Sequence, residues 1–216
     1  MSVAICGWIG SGKDSIADAL VTDHGFKRLS LAASLKDAVA SIFGWERKLL
    51  EGDTHDGRVW RETVDNWWSN RLAIPNLTPR LMLQLWGTEI GRDRFHSDIW
   101  VASLENQLRQ TSDNVVITDC RFPNEIAAMR RVGATMVWVK RGALPDWYST
   151  AILANRGDTA AQDALTQMGI HKSETSWVGA AFDFEINNNG TLADLKIEAT
   201  ALGHLASKAI CSCKSQ

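Results

Sequence analysis

No run of apolar residues in this 216-residue chain approaches the roughly 18 that a membrane-spanning helix needs, so no transmembrane segment is expected. The first apolar run, SVAIC at 2 to 6, is short and passes directly into glycines, unlike a secretory signal. An excess of one charge is missing as well: 23 Lys and Arg against 25 Asp and Glu leave a formal net charge of -2. Without a basic field the chain is not expected to track long nucleic acid, and a phosphorylated partner should be small and held in a local pocket. The 4 cysteines, Cys6, Cys120, Cys211 and Cys213, include no C-x-x-C pair of the zinc-binding kind, and the terminal C-S-C supplies only two ligands. They read as reduced thiols of a cytoplasmic protein, with Cys6 and Cys120 buried at strand ends. A 45% apolar composition with only 4 prolines excludes a disordered chain.

What is present is a set of short, β-branched runs: SVAIC (2 to 6), FKRLSL (26 to 31), NVVIT (114 to 118), TMVWVK (135 to 140) and FDFEIN (182 to 187). Near-continuous apolar strands separated by helix-like segments predict an α/β fold, a five-stranded parallel sheet with helices on both faces. About eighty residues separate the second strand from the third, far more than a crossover needs. Helical patterns at 34 to 43, 59 to 71, 79 to 91 and 97 to 110 fill that interval, interrupted by EGDTHDG and AIPNLTP. The expectation is one domain over 1 to 216. Its core would be 1 to 31, 113 to 140 and 182 to 207, with a substrate-binding insertion over 32 to 112 and a lid over 141 to 181. A closing helix over 191 to 207 has Thr191 as N-cap and Leu192, Leu195, Ala199, Leu202 and Leu205 at helical spacing. Of the 10 tryptophans, Trp60, Trp67, Trp68, Trp86 and Trp100 fall in the first insertion, where packing is the expected role of most.

Gly7, Gly12 and Lys13 satisfy G-x-x-x-x-G-K, directly after a predicted strand and ahead of the helical DSIADAL. Glycines let backbone amides turn inward around phosphate oxygens, and the following helix N-terminus adds partial positive charge. Gly10, Ser11, Gly12, Lys13, Asp14 and Ser15 are therefore the candidate nucleotide-phosphate contacts, with Lys13 bridging the β- and γ-phosphates. Asp14 stands where such loops place a magnesium-binding hydroxyl. Two readings are open: its carboxylate, or a water on it, serves the metal, or it interacts with the positive end of the helix.

From GSGKDSIADAL onward the sequence resembles the bacteriophage deoxynucleoside monophosphate kinases, whose loop commonly reads Gly-Lys-Asp. The likeness continues through LSLAASLKDAV, TPRLMLQLWGTEIGRDRFHSDIWV, VVITDCRFPNE and HKSE followed by FEINNNGTLADL, and is weakest over 45 to 77 and 141 to 170. The resemblance implies a P-loop nucleotide kinase fold and transfer of the γ-phosphoryl of ATP, with Mg2+, to a deoxynucleoside 5′-monophosphate. A homodimer is left open.

Within that resemblance Lys36 would hold the acceptor phosphate, the alternative being a solvated lysine at a helix start. Spacings of four and eight put Arg80, Gln84 and Thr88 on one helix face, while Arg92 follows the helix end; the face would offer a guanidinium to phosphate and an amide to a base edge. Gly87 would allow close approach, and Trp100 is kept among the substrate contacts. Asp119, beyond the strand VVIT, is the first choice for a magnesium-side carboxylate, with a structural hydrogen bond as its rival. Arg121 reads as the catalytic or acceptor-binding cation. In the lid, His171 and Glu174 belong to the HKSE element, whereas Arg141 and Arg156 rest on position alone. Two rivals stand beside this reading: a kinase of another small acceptor, such as dephospho-coenzyme A or a ribonucleoside monophosphate, and a non-catalytic nucleotide-binding switch.

Overall fold

The computed structural model describes the backbone of residues 1–213 and the side chains of residues 1–204, so the side chains of Leu205, Cys211 and Cys213 lie outside what is described. The five expected strands form as β1 (Ser2–Cys6), β2 (Lys27–Leu29), β3 (Val115–Ile117), β4 (Thr135–Lys140) and β5 (Phe184–Asn187). They make one parallel sheet in the order β2-β3-β1-β4-β5. Helix α1 (Lys13–His24) carries the chain from β1 toward the β2 edge, and α7 (Pro123–Arg131) carries it from β3 past β1 to β4. Right-handed crossovers running in opposite directions place these two helices on opposite faces. The reversal falls beside β1, so the crevice beyond its carboxyl end is where a ligand of this architecture sits.

Two compact units emerge. The first, Met1–Ser30 with Gln107–Gln216, holds the sheet. Its core joins Val3 and Ile5 of β1, Val137 and Val139 of β4 and Ile186 of β5 to Ile16 and Leu20 of α1 and to Leu195, Ala199 and Leu202 of α11 (Leu192–Cys213). Thr191 caps α11 as expected: its Oγ1 accepts from the Asp194 amide at 3.2 Å, and Asp194 Oδ2 accepts from the Thr191 amide at 2.7 Å. Between β4 and β5 lie α8 (Tyr148–Asn155), α9 (Thr159–Gln167) and α10 (Lys172–Thr175), with a small core of Ala151, Ala154, Ala161, Leu165 and Val178. Cys6 and Cys120 are free and buried. Burial, with the Glu125 carboxylate nearby, pushes the Cys6 thiol up to about 12, and burial raises Cys120 well above its ordinary value, so neither is a thiolate at neutral pH.

The second unit, Leu31–Asn106, is helical. It comprises α2 (Ala33–Phe43), a 3-10 turn at Leu49–Glu51, α3 (His55–Glu62), α4 (Asn66–Leu72), α5 (Pro79–Gln84), a π-helix over Leu85–Phe95 and most of α6 (Ile99–Arg109). Leu35, Val39, Phe43, Leu50, Leu77 and Met82 form its core, with Trp45, Trp60, Trp68, Trp86 and Trp100 packed around them. The indole N–H groups find acceptors: Trp45 on Asp65 Oδ2 at 2.8 Å, Trp68 on the Phe43 carbonyl at 3.0 Å, Trp100 on the Gly87 carbonyl at 2.8 Å. Packing is thus the role of Trp45 and Trp68; Trp67 is 63% exposed.

Three features of the helical reading differ. The pattern over 59 to 71 is two helices, α3 and α4, because the chain is extended at Thr63 and Asp65 caps α4 by accepting from the Trp68 amide at 3.1 Å. EGDTHDG does not wholly interrupt: Thr54 accepts from the Gly57 amide and starts α3 at His55. The helix expected over 79 to 91 is α-helical only to Gln84 and then widens, ending with a five-residue bond from the His96 amide to the Gly91 carbonyl at 2.9 Å. Arg92 therefore lies inside the helix and not beyond its end. Arg80 and Gln84 keep their spacing of four within the α-helical part, and the wider turn shifts only Thr88 from the face drawn through the three. Glycine permits this packing: a Cβ on Gly91 would meet the Trp86 carbonyl at 2.7 Å and the Trp100 ring at 2.8 Å, and one on Gly87 would meet Leu35 at 2.9 Å.

Candidate active site

The chain leaves β1 at Cys6, turns through Gly7 to Gly12 and enters α1 at Lys13. Gly10 (φ 78°) and Gly12 (φ 97°) hold the left-handed conformation that lets successive amides point inward. The outward carbonyls are tied down. Asn188, just past β5, donates to the Ser11 carbonyl at 2.8 Å, and Arg141, just past β4, donates to that of Gly10 at 3.3 Å. Trp8 donates its indole N–H to the Glu174 carbonyl at 3.1 Å. Ser11 Oγ is buried with no protein partner, an unspent donor inside the loop. Lys13 is 11% exposed at the start of α1, 3.5 Å from Asp14 Oδ2. An amide-lined loop with an enclosed lysine and a helix N-terminus fits a polyphosphate.

Asp14 is 58% exposed and paired with Arg28 of β2. Arg28 also reaches Asp18 at 3.1 Å and Thr118 Oγ1 at 3.0 Å, tying the first turns of α1 to the ends of β2 and β3. Beyond β3, Asp119 Oδ2 accepts from Ser30 Oγ at 2.6 Å. The next turn is fixed by Glu125, 2% exposed, whose Oε2 accepts from the amides of Arg121 (2.7 Å) and Phe122 (3.0 Å). These two bonds from the third residue of α7 back to the amides ahead of it start the helix and aim Arg121, whose Nη1 meets Glu174 Oε1 at 3.1 Å. His171 is the N-cap of α10, its Nδ1 accepting from the Ser173 amide at 3.2 Å. Arg156 lies exposed at the C-cap of α8.

The structure thus gathers Gly10, Ser11, Gly12, Lys13 and Asp14 in one loop, joins Arg141 to it, and pairs Arg121 with Glu174. Ser15 follows exposed in the first turn of α1. In the helical unit Lys36 is paired with Glu51, Arg80 is 60% exposed beside Glu62 at 3.3 Å, and Gln84 is exposed. Gly87 and Trp100 are engaged with each other. Arg28 and Asn188 escaped the sequence reading. The NNNG run after the fifth strand was the available signal for Asn188, since it lies at a strand's carboxyl end.

A parallel sheet in this order, with a glycine loop leading from its central strand into a helix and a lysine at the helix start, defines a P-loop kinase fold. Residues 58–198 match the family model for deoxynucleotide monophosphate kinase, and the chain belongs to that family. It is 49% identical over 55 residues to the deoxynucleoside-5′-monophosphate kinase of Escherichia phage T5, a match spanning 25% of this chain and 22% of the phage protein's length. It is 28% identical over 153 residues to an Acanthamoeba polyphaga mimivirus protein inferred to be a deoxynucleotide monophosphate kinase, covering 64% of this chain and 73% of that one. Among solved structures, shikimate kinase from Aquifex aeolicus aligns with a TM-score of 0.45 and 13% identity over 97% of this chain and 99% of that chain. No helix among the described residues is long and apolar enough to cross a membrane.

Proposed function

We propose that this chain is a cytosolic kinase that transfers the γ-phosphoryl of ATP to a deoxynucleoside 5′-monophosphate, giving the diphosphate and ADP. The observation that carries the reading is the pre-shaped loop with Lys13 enclosed at its end, in a member of this family. Phosphoryl transfer asks little covalent chemistry of the protein; it needs cations placed around the phosphates and exclusion of water. The loop amides and Lys13 hold the donor's β- and γ-phosphates. Arg121 offers a planar guanidinium to the charge that develops on the transferred group. Lys36, Arg80 and Arg92 are the acceptor-side cations. Gln84, Gly87 and Trp100 serve the nucleoside, and His171 and Glu174 act from the lid over 141 to 181.

Magnesium, when bound, neutralises the phosphate oxygens. Asp119 fits as its carboxylate, because it lies just past the carboxyl end of β3, the strand beside β1 and its loop. Asp14 fits less well, being paired with Arg28 and Lys13. Accordingly, Asp14→Asn should lower stability by about 0.3–1 kcal/mol and leave the magnesium dependence of turnover unchanged. A raised magnesium requirement in a titration would put Asp14 on the metal instead.

The test of function is a panel of ribo- and deoxynucleoside monophosphates with ADP release as readout. ATP binding without ADP release on any monophosphate would leave a nucleotide-binding switch, and turnover confined to another acceptor would reassign the substrate. Arg121→Lys keeps the charge but loses the fork. Turnover or monophosphate affinity should fall tenfold or more, about 1.4 kcal/mol, with ATP binding little changed. Wild-type values in both would remove Arg121 from the site.

A further inference from the structure

Glu51 closes the 3-10 turn of the helical unit with a carboxylate shared between two cations from different segments: Lys36 of α2 on Oε2 and Arg47 on Oε1. Arg47 is braced in turn, its Nε donating to Asp37 Oδ1 at 2.5 Å. The backbone under Glu51 has little freedom. Leu50 is fully buried, and Gly52 sits at φ 68° with the Arg61 guanidinium so close that a Cβ would lie 2.2 Å from it. Burial disfavours the charge on Glu51, yet the hydrogen bonds from Lys36 and Arg47 outweigh it and hold the carboxyl below its ordinary range.

Two cations, each on its own oxygen of one anion, form a cradle that phosphate oxygens would also satisfy. A phosphomonoester brings about −1.5 to −2 charge and three acceptor oxygens where a carboxylate brings −1 and two. Exchange is sterically open, since the Glu51 side chain is 33% exposed. The displaced carboxylate also has somewhere to go. Arg61 already donates Nη1 to the Glu51 carbonyl at 3.4 Å, and its Nε is buried without a hydrogen-bond partner.

We propose that Glu51 is a built-in stand-in for the 5′-phosphate of the acceptor: its carboxylate holds Lys36 and Arg47 ready in the free protein, and the arriving phosphate takes both cations over. Arg47 is then a phosphate ligand beside Lys36, and Glu51 a competitor that shifts toward Arg61. The inference rests on the acceptor role given to Lys36 above. It adds Arg47, Glu51 and Arg61, all within the stretch where the sequence resemblance is weakest.

The experiment takes the monophosphate preferred in the panel and its unphosphorylated deoxynucleoside, and measures KM and direct binding for wild type, Arg47→Ala, Arg47→Lys and Glu51→Gln, with a thermal melt of each. Arg47→Ala should raise KM for the monophosphate tenfold or more, leave binding of the deoxynucleoside and of ATP within twofold, and be partly rescued by Arg47→Lys. Glu51→Gln should lower KM threefold or more, because the competitor is gone while the amide keeps the shape. If Arg47→Ala weakens the deoxynucleoside as much as the monophosphate, Arg47 only supports the fold and the inference fails. A Glu51→Gln protein with raised KM would also overturn it, showing that Glu51 does not compete with the phosphate for Lys36 and Arg47. A wild-type chain inert on every monophosphate fails the kinase reading itself, a result the panel reports before any variant is made.

Discussion

Replacing Lys13 with alanine should lower turnover by roughly a hundred- to a thousandfold, the loss seen when one preorganised donor is removed from developing charge. Lys13 is the enclosed cation of the loop, 11% exposed, and its ion pair with Asp14 is long at 3.5 Å. The fold has little invested in the side chain. Alanine is a good helix former, so α1 should still start at this position. Saturating-substrate ADP release and a thermal melt would be read together. A variant keeping more than a tenth of wild-type kcat would show that the loop does not carry the transferring phosphoryl group.

Gly12→Ala should damage the loop's shape severely. At φ 97° and ψ 8° an L-residue costs about 1–2 kcal/mol, and the new Cβ would lie 2.3 Å from Asn188 Nδ2 and 3.1 Å from Leu195 Cδ2. Asn188 cannot move away without releasing the Ser11 carbonyl, a bond contributing about 0.5–1.5 kcal/mol. Gly25→Ala is the internal comparison: φ is 67° at the C-cap of the same helix, with no atom within 4 Å of the built Cβ. Urea denaturation should show Gly12→Ala to be the worse of the two by about 1 kcal/mol or more. ATP titration should show loss of affinity in Gly12→Ala alone. Equal effects would mean that the Asn188 contact contributes nothing.

The sheet was legible in the sequence because each strand is a short β-branched run bounded by turn residues, and β1 and β4 form over the spans so read. Thr191 as N-cap and the buried Cys6 and Cys120 were legible for the same reason: each follows from local chemistry. What escaped depends on partners far along the chain or on a winding that periodicity does not encode. Arg28 reads as one charged residue on a short strand until folding brings Asp14 and Thr118 beside it. Arg47 and Glu51 sit four apart in an interval with no strong pattern, and Lys36 joins them only through the turn built on Leu50. The helix after Gln84 defeated a 3.6-residue pattern because five-residue bonding shifts each later side chain around the axis.

Trp8 gives the loop an optical consequence. It lies between Gly7 and Gly10, yet its ring is set against Trp138, Trp147, Tyr148 and Trp177 at centroid distances of 6.0, 5.8, 6.1 and 4.9 Å. Aromatic chromophores this close and this steeply inclined couple electronically, so the near-ultraviolet circular dichroism of the protein carries a component set by the posture of the phosphate loop. The chain therefore holds its own spectroscopic gauge of that posture, readable without any attached dye.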